Sequence, residues 1–193
     1  MELSERQQQI IEASIGLIDR HGIQGFTIKN LSKEIGISEP AIYRHFESKV
    51  EILSTILDGF KQRVGHYHRS LGENTDMDPR QQIETFFQMV FKVFSENPTM
   101  VSVIFAEEIF RNEPMLTQKV TEIQDLNEEI VGNLIAQLPL NEKVDDQPVE
   151  SLTTMFFGSV RLLVRKWRMG DHGFDLQREG KQLIETILNV ITL

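Results

Sequence analysis

The amino-acid sequence predicts an all-α protein with about nine helices. Apolar residues recur three and four positions apart in one segment after another, which is the spacing of a helix with one buried face. Most of these segments follow a capping residue or a proline, the usual marks of a helix start. No segment alternates between apolar and polar residues for long enough to indicate a strand.

The first predicted helix begins after Ser4, because Ser4 and Gln7 have the spacing of a capping box. Its apolar stripe follows helical spacing through Ile10, Ile11, Ile15, Leu17 and Ile18. Gly22 is expected to end this helix in the left-handed conformation that glycine adopts without strain.

Two short helices follow, joined by about three residues. Thr27 is the expected N-cap of the second helix and Gly36 its end, and Ser38 caps the third, where Pro40 falls within the first turn. A helix pair with glycine in the joint is a helix-turn-helix. The small side chain of Ser32 lets the two helices cross closely, and a Cβ at Gly36 would oppose a positive φ.

A long fourth helix begins at a second capping-box pair, Ser48 and Glu51, and its apolar stripe of about 20 residues would span roughly 30 Å. The stretch 70–79 has the composition of a loop, and the charge changes there. Residues 1–70 carry nine basic and nine acidic side chains, so the net charge of −9 belongs to residues 71–193. We predict a helix-turn-helix domain over 1–48, a connecting helix over 49–70 and a second helical domain over 71–193.

Prolines mark the helix starts of the second domain, because proline suits the first turn of a helix. They stand in the pairs Asp78-Pro79, Asn97-Pro98, Glu113-Pro114 and Gln147-Pro148. The segment 170–175 separates the last two helices.

The third helix presents a candidate surface for DNA. Ile42 and Phe46, four residues apart, form its buried edge, so Arg44 points away from the core on a ridge narrow enough for a major groove about 12 Å wide. Arg44 can fork onto guanine, Ala41 can touch a thymine methyl, and Glu39 can accept from cytosine. The candidate DNA-binding residues are Thr27, Lys29, Ser38, Glu39, Pro40, Ala41, Tyr43, Arg44, His45 and Lys49, of which Thr27, Tyr43, His45 and Lys49 suit phosphates.

The residues leave a second interpretation open. Glycine-jointed helix pairs are common in all-α proteins, and Glu39 and Glu47 offset the charges of Arg44 and Lys49. The exposed ridge can therefore be a solvated face of a helical protein-interaction module that does not bind DNA by sequence.

The segment "GFTIKNLSKEIGISEPAIYRHFESKVEIL" resembles the N-terminal DNA-binding domain of the TetR/AcrR family of bacterial transcriptional regulators. The resemblance covers roughly residues 8–55 and rests on several fixed spacings, including Gly25-Phe26-Thr27, Gly36, Ile42-Tyr43 and His45-Phe46. Ser32 stands where the family usually has alanine, and it is still small.

This resemblance implies a homodimeric repressor whose two third helices enter successive major grooves of a near-palindromic operator. It also implies that a small, largely hydrophobic effector binds the second domain, shifts the fourth helix and releases the DNA. Repression is the commoner behaviour in the family, and nothing in the sequence excludes activation.

The second domain is rich in phenylalanine and methionine. Such residues can line an apolar ligand pocket, and they can equally form an ordinary core. The candidate pocket residues are Phe87, Phe91, Phe105, Phe110, Met155, Phe156, Arg161 and Trp167. Arg161 begins a basic row that can hold an anionic headgroup or remain a solvated face.

The last two predicted helices are the candidate dimer interface. Each carries an apolar stripe, and two helices from each chain would build an isologous four-helix interface. The candidate interface residues are Leu152, Met155, Val160, Leu163, Leu183, Ile187 and Ile191. Both stripes can also be covered within one chain.

The sequence offers no arrangement that favours an enzyme or a metal site. It contains no cysteine, no Glu-x-x-His and no HExxH motif. We therefore expect no enzymatic activity, no cofactor and no metal. The polar N-terminus is unlike a signal peptide, and no apolar run approaches roughly 18 residues, so we expect a cytoplasmic protein without a membrane partner.

Overall fold

The all-α prediction is confirmed by a computed structural model that describes residues 3–72, 77–105 and 113–193. Nine helices lie in these residues: α1 (Glu5–Gly25), α2 (Ile28–Ile35), α3 (Glu39–Tyr43), α4 (Lys49–Gly72), α5 (Pro79–Glu96), α6 (Pro98–Ile104), α7 (Pro114–Ile135), α8 (Val149–Met169) and α9 (Leu176–Ile191). The same residues contain no strand, and Leu140 and Thr192 form an isolated bridge. None of the helices described has the length and hydropathy that a membrane span needs.

The helix starts follow the local chemistry of the sequence. Ser4 and Gln7 make both hydrogen bonds of a capping box at the start of α1. Helices α5, α6 and α7 begin at their predicted prolines, and Pro148 is the N-cap of α8. Gly22 interrupts α1 with φ 64° and ψ 175°, and a further helical turn then continues to Gly25. Gly22 therefore breaks the helix at the predicted position with a positive φ, but its ψ is not that of a left-handed helix and α1 ends three residues later, at Gly25.

Two compact units divide the chain, and each combines two separate stretches of sequence. The first unit contains Met1–Val64 and Asn97–Ile123, and the second contains Gly65–Glu96 and Gln124–Leu193. Helices α4 and α7 each contribute residues to both units. These units describe contacts, whereas the boundaries predicted after residues 48 and 70 describe functions and stay predictions.

The core of the first unit is built from helices α1, α2, α3 and α4 together with α6 and α7. Val103 of α6 and Leu116 of α7 are buried in the same apolar cluster as Phe26 and Ile42. The Ser102 hydroxyl donates to the Asp19 carboxylate over 3.1 Å, which adds a polar contact between α6 and α1. The helix-turn-helix is thus supported by the side chains of Val103 and Leu116, which follow Ile42 by 61 and 74 residues.

Two ion pairs connect α4 to α7 within the first unit. The Lys61 ammonium lies 2.6 Å from the Glu122 carboxylate, and the Lys119 ammonium pairs with Asp58. These residues are three positions apart on each helix, with the signs reversed between the helices. The arrangement favours one register of α4 against α7.

Phenylalanine rings fill the centre of the second unit. The ring of Phe87 stacks on that of Phe156 at 5.6 Å between centroids and at 9° between planes, and Phe86 meets Phe87 edge to face at 5.0 Å. On the adjoining side, α9 approaches α5 so closely that a Cβ on Gly180 would lie 2.4 Å from Phe91. Because these rings pack on one another, they form a core as well as an apolar surface.

Candidate DNA-binding surface

The joint between α2 and α3 is formed by backbone hydrogen bonds that require a left-handed residue. Gly36 has φ 75° and ψ 32°, and both its N–H and that of Ile37 donate to the Ser32 carbonyl over 3.0 Å. Nothing lies within 4 Å of the position where a Gly36 Cβ would stand. Glycine is therefore favoured at this joint by its backbone conformation and not by lack of space.

Polar caps hold the two short helices in place. The Thr27 hydroxyl accepts from the Asn30 N–H over 3.1 Å at the start of α2, and the Ser38 hydroxyl accepts from the Ala41 N–H over 3.3 Å at the start of α3. Ser32 is buried, and its hydroxyl donates to the Lys29 carbonyl over 2.9 Å. A larger polar side chain at Ser32 would have to be accommodated in the interior of the first unit.

Helix α3 separates a buried edge from an exposed ridge, as its spacing predicted. Ile42 is fully buried and Phe46 is nearly so, whereas Tyr43 is 50% exposed. Arg44, the C-cap, keeps a right-handed helical conformation with φ −72° and ψ −19°, and its side chain is exposed. The other candidate residues of this ridge are exposed at Ser38, Glu39 and Pro40 and half-buried at Ala41 and His45.

The start of α1 also reaches the end of α3. The Gln7 side-chain amide donates to the main-chain carbonyl of His45 over 3.4 Å. Sequence reasoning identified Gln7 only as part of a capping box. The choice of glutamine where glutamate would cap equally well is the one feature of the sequence that could have pointed to a second contact.

Lys49 lies at the start of α4 and contacts the connection between α1 and α2. Its ammonium donates to the Ile23 carbonyl over 3.3 Å and lies 5.1 Å from the centre of the Phe26 ring. Burial lowers the pKa of Lys49. This lysine therefore ties α4 to the rest of the unit, and any phosphate contact would use the ammonium protons that remain.

Some backbone N–H groups at the helix starts are already paired. At α4 the Glu51 N–H donates to the Ser48 hydroxyl over 3.1 Å, and the Glu51 carboxylate accepts from the Glu47 N–H instead of the Ser48 N–H. The second capping box of the sequence is thus half formed. The Glu51 carboxylate also makes the start of α4 a less favourable place for an anion than an uncapped helix end.

Residues 10–56 match the family model described as "Bacterial regulatory proteins, tetR family". This match begins within α1 and ends within α4, so it includes the whole α2–α3 surface. Residues 10–56 therefore form a TetR-type DNA-binding domain. The resemblance predicted from the sequence is confirmed, and with it a regulator that binds DNA.

Known proteins are similar to this chain over different lengths of it. The nucleoid occlusion factor SlmA of Glaesserella parasuis is 27% identical over 143 residues, 72% of this chain and 69% of that protein. The ketosteroid transcriptional regulator KstR2 of Mycobacterium tuberculosis shares the fold with a TM-score of 0.83 at 18% identity, over 100% of this chain and 97% of that one.

A second solved structure, the regulator FadR of Bacillus subtilis in complex with stearoyl-CoA, matches with a TM-score of 0.73 at 20% identity, over 95% of this chain and 98% of that chain. At these identities the likeness shows a TetR-type fold over nearly the whole chain.

The candidate pocket residues do not form one site. Phe87, Phe91, Phe156 and Trp167 are buried in the second unit, whereas Met155 and Arg161 are exposed on the outer side of α8. Phe105 is half-buried and belongs to the first unit, and Phe110 lies outside the described residues. Met155 and Arg161 therefore cannot line the same interior space as the buried rings.

The candidate dimer residues differ in their exposure. Leu152, Val160, Ile187 and Ile191 are buried in the core of the chain itself, so they are not available to a partner. Met155 is partly exposed, and Leu163 and Leu183 are half-buried. The predicted stripes of α8 and α9 therefore lie mainly on the inner faces of the two helices.

The outer faces of α8 and α9 carry their own apolar side chains. On α8 the exposed ones are Met155, Leu162 and Met169, spaced seven residues apart. On α9 Val190 is 62% exposed and lies seven residues after Leu183. A seven-residue spacing places side chains on one face of a helix, so each helix has an apolar stripe that its own chain leaves accessible.

Proposed function

We propose that this TetR-family protein is a homodimeric repressor that binds a near-palindromic operator and is released by a small, largely hydrophobic effector. The observation that carries the DNA-binding part is the exposed Tyr43-Arg44 ridge on a helix held from beneath by buried Ile42 and Phe46. A fixed short helix with an outward guanidinium is what direct readout of a major groove requires. The proposal includes no enzymatic activity and places the protein in the cytoplasm with the chromosome.

Each residue of the ridge has a proposed role. Arg44 reads guanine, Ala41 contacts a thymine methyl and Glu39 accepts from cytosine N4. The remaining contacts fix the position of the helix on the sugar–phosphate backbone. They come from Thr27, Tyr43, His45 and Lys49, and Lys29, Ser38 and Pro40 complete the DNA-binding surface.

Dimerisation is proposed through the outer faces of α8 and α9. Their exposed stripes around Leu162 and Val190 would be covered by the same stripes of a second copy, in an isologous interface of four helices. The two α3 helices must then lie about 34–36 Å apart to reach half-sites one helical turn apart. Effector binding would shift α4 and change that separation.

A hydrophobic effector is supported by the character of the second unit and by its structural neighbours. The unit is centred on phenylalanine rings. Of the two structural neighbours, KstR2 is named as a ketosteroid regulator and FadR was solved in complex with stearoyl-CoA. Because Phe87 and Phe156 pack directly on each other, an effector between them would have to part the rings. Native mass spectrometry with stearoyl-CoA against free CoA tests this point, since only the acyl chain distinguishes the two.

Selection from a random duplex library tests the DNA-binding proposal. The purified protein is expected to enrich an inverted repeat, and a Tyr43→Ala/Arg44→Ala double variant is expected to lose that enrichment. The spacing of the half-sites then gives the distance between the two α3 helices. If a ligand-free preparation enriches nothing at low salt, the α2–α3 pair is a protein-interaction module instead.

A further inference from the structure

We propose that Gln7 is a positioning residue for DNA recognition: its amide anchors the end of α3 to the capping box of α1 and so sets the orientation of Tyr43 and Arg44. This inference rests on the DNA-binding role proposed above. It assigns a function to a residue that lies outside the helix-turn-helix and outside the segment 10–56 that matches the family model.

The two ends of the Gln7 amide have different partners. Its carbonyl oxygen accepts from the Ser4 N–H over 3.0 Å and from the Ser4 hydroxyl over 3.1 Å. Its nitrogen donates to the His45 carbonyl over 3.4 Å. Ser4 N–H can only donate and the His45 carbonyl can only accept, so one orientation of the amide satisfies both partners.

Two hydrogen bonds from Ser4 hold the Gln7 side chain before it reaches His45, and a third holds the Gln7 backbone. Besides the two bonds above, the Gln7 N–H donates to the Ser4 hydroxyl over 3.3 Å. A side chain already fixed at one end loses little further rotamer freedom when its other end binds. The contact with His45, which is partly buried, can therefore hold position in spite of its length.

The His45 carbonyl is a sensitive point for this contact. Helix α3 has five residues, too few for a helix that is stable by itself, and His45 directly follows its C-cap Arg44. Its end is held from below by Phe46 and from α1 by Gln7. Arg44 stands directly before His45, so a shift of this carbonyl moves the guanidinium that is proposed to read guanine.

The chemistry of residue 7 allows its two roles to be separated. Glutamate completes a capping box as well as glutamine does, but it has no N–H to donate. Gln7→Glu therefore keeps the start of α1 and places a carboxylate oxygen against the His45 carbonyl. Gln8→Glu is the matched control, because Gln8 is exposed and the change adds the same charge one residue along the same helix.

Two measurements on the full chain test the inference. Amide hydrogen exchange over residues 43–47 is expected to be about three- to tenfold faster in Gln7→Glu than in Gln8→Glu, the effect of losing one hydrogen bond. The dissociation constant for the selected duplex is expected to rise by a similar factor, about three- to tenfold, while that for a scrambled duplex stays equal in the two variants. A merely structural role in α1 would weaken both duplexes alike.

The two measurements distinguish failure of this inference from failure of the DNA-binding proposal. Equal exchange over residues 43–47 in the two variants overturns the positioning role, whatever the DNA result. Equal loss of affinity for selected and scrambled duplexes also overturns it, since the added charge then accounts for the effect. If the wild-type protein enriches no sequence, the DNA-binding proposal fails and the positioning role in recognition fails with it.

Discussion

Gly180 on α9 allows a sharp test of how the second unit is packed. An added Cβ at this position would lie 2.4, 2.5 and 2.6 Å from three atoms of the Phe91 ring, and Phe91 is fully buried. Ordinary contact between such carbon atoms begins near 3.5 Å, so Gly180→Ala requires a shift of about 1 Å between α9 and α5 or a new rotamer of Phe91.

The expected magnitude is the difference of two effects. Overpacking a well-filled interior costs about 1–3 kcal/mol, whereas replacing glycine by alanine within a helix gains about 1 kcal/mol. Gly180→Ala should therefore lower the free energy of unfolding by up to about 2 kcal/mol. In a Phe91→Ala background the ring is gone, and the same substitution should raise stability by about 1 kcal/mol.

Trp167 provides the assay. It is the one tryptophan of the chain and is buried in the second unit, so its fluorescence reports unfolding of the unit that contains Gly180 and Phe91. Urea titrations of the four proteins at one chain concentration complete a double-mutant cycle. Stabilisation by Gly180→Ala in both backgrounds would refute the close approach of α9 to α5.

Four further outcomes are expected. Arg44→Ala should relax base preference within the half-site at a loss of about 1–3 kcal/mol, and an unchanged selected sequence would contradict its role. Lys49→Ala should weaken binding to all duplexes alike and lower the slope of affinity against salt by about 1. It should also reduce thermal stability, because the contact with Phe26 is lost. An effect at one base position would contradict the phosphate role of Lys49. Gly36→Ala should cost about 1–2 kcal/mol and Gly36→Asn less in urea titrations, and equal costs would disprove the backbone argument. The Lys61 ammonium holds the pKa of Glu122 below its ordinary 4.5, so this ion pair stabilises the fold above pH 4.5 and the stabilisation is lost as pH falls through the lowered pKa. The melting temperature should therefore fall less steeply in acid for Glu122→Gln than for wild type. Parallel curves of melting temperature against pH would exclude this contribution.

Local chemistry explains which parts of the fold could be predicted from the sequence. Caps such as Ser4 and Thr27 and prolines such as Pro98 and Pro114 act within one helical turn, so the pattern of nearby residues fixes where helices begin. The exposed ridge of α3 was predictable for the same reason. The separation between Ile42 and Phe46 decides which side of a short helix is buried.

Contacts between distant residues explain the rest. An apolar stripe shows that one face of a helix is covered, but it does not show which element covers it. Leu152 and Val160, which are buried within the chain, could therefore not be distinguished from residues of a dimer interface. The Gln7 contact joins residues 38 positions apart in the chain and leaves no periodic trace. The sequence likewise does not show that α6 and α7 contribute to the core of the first unit. That contribution depends on which apolar faces pack together, and the apolar residues Val103 and Leu116 do not specify their partners.

The discontinuous make-up of the first unit has a consequence for how the protein is made. The core beneath the α2–α3 surface includes Val103 and Leu116, so a ribosome that has released only the first 64 residues has delivered an incomplete interior. Synthesis runs at about 5–20 residues per second, so a few more seconds pass before Val103 and Leu116 are available to complete the core beneath α2 and α3. For the same reason, transplanting residues 1–64 alone onto another protein would carry the motif without its support.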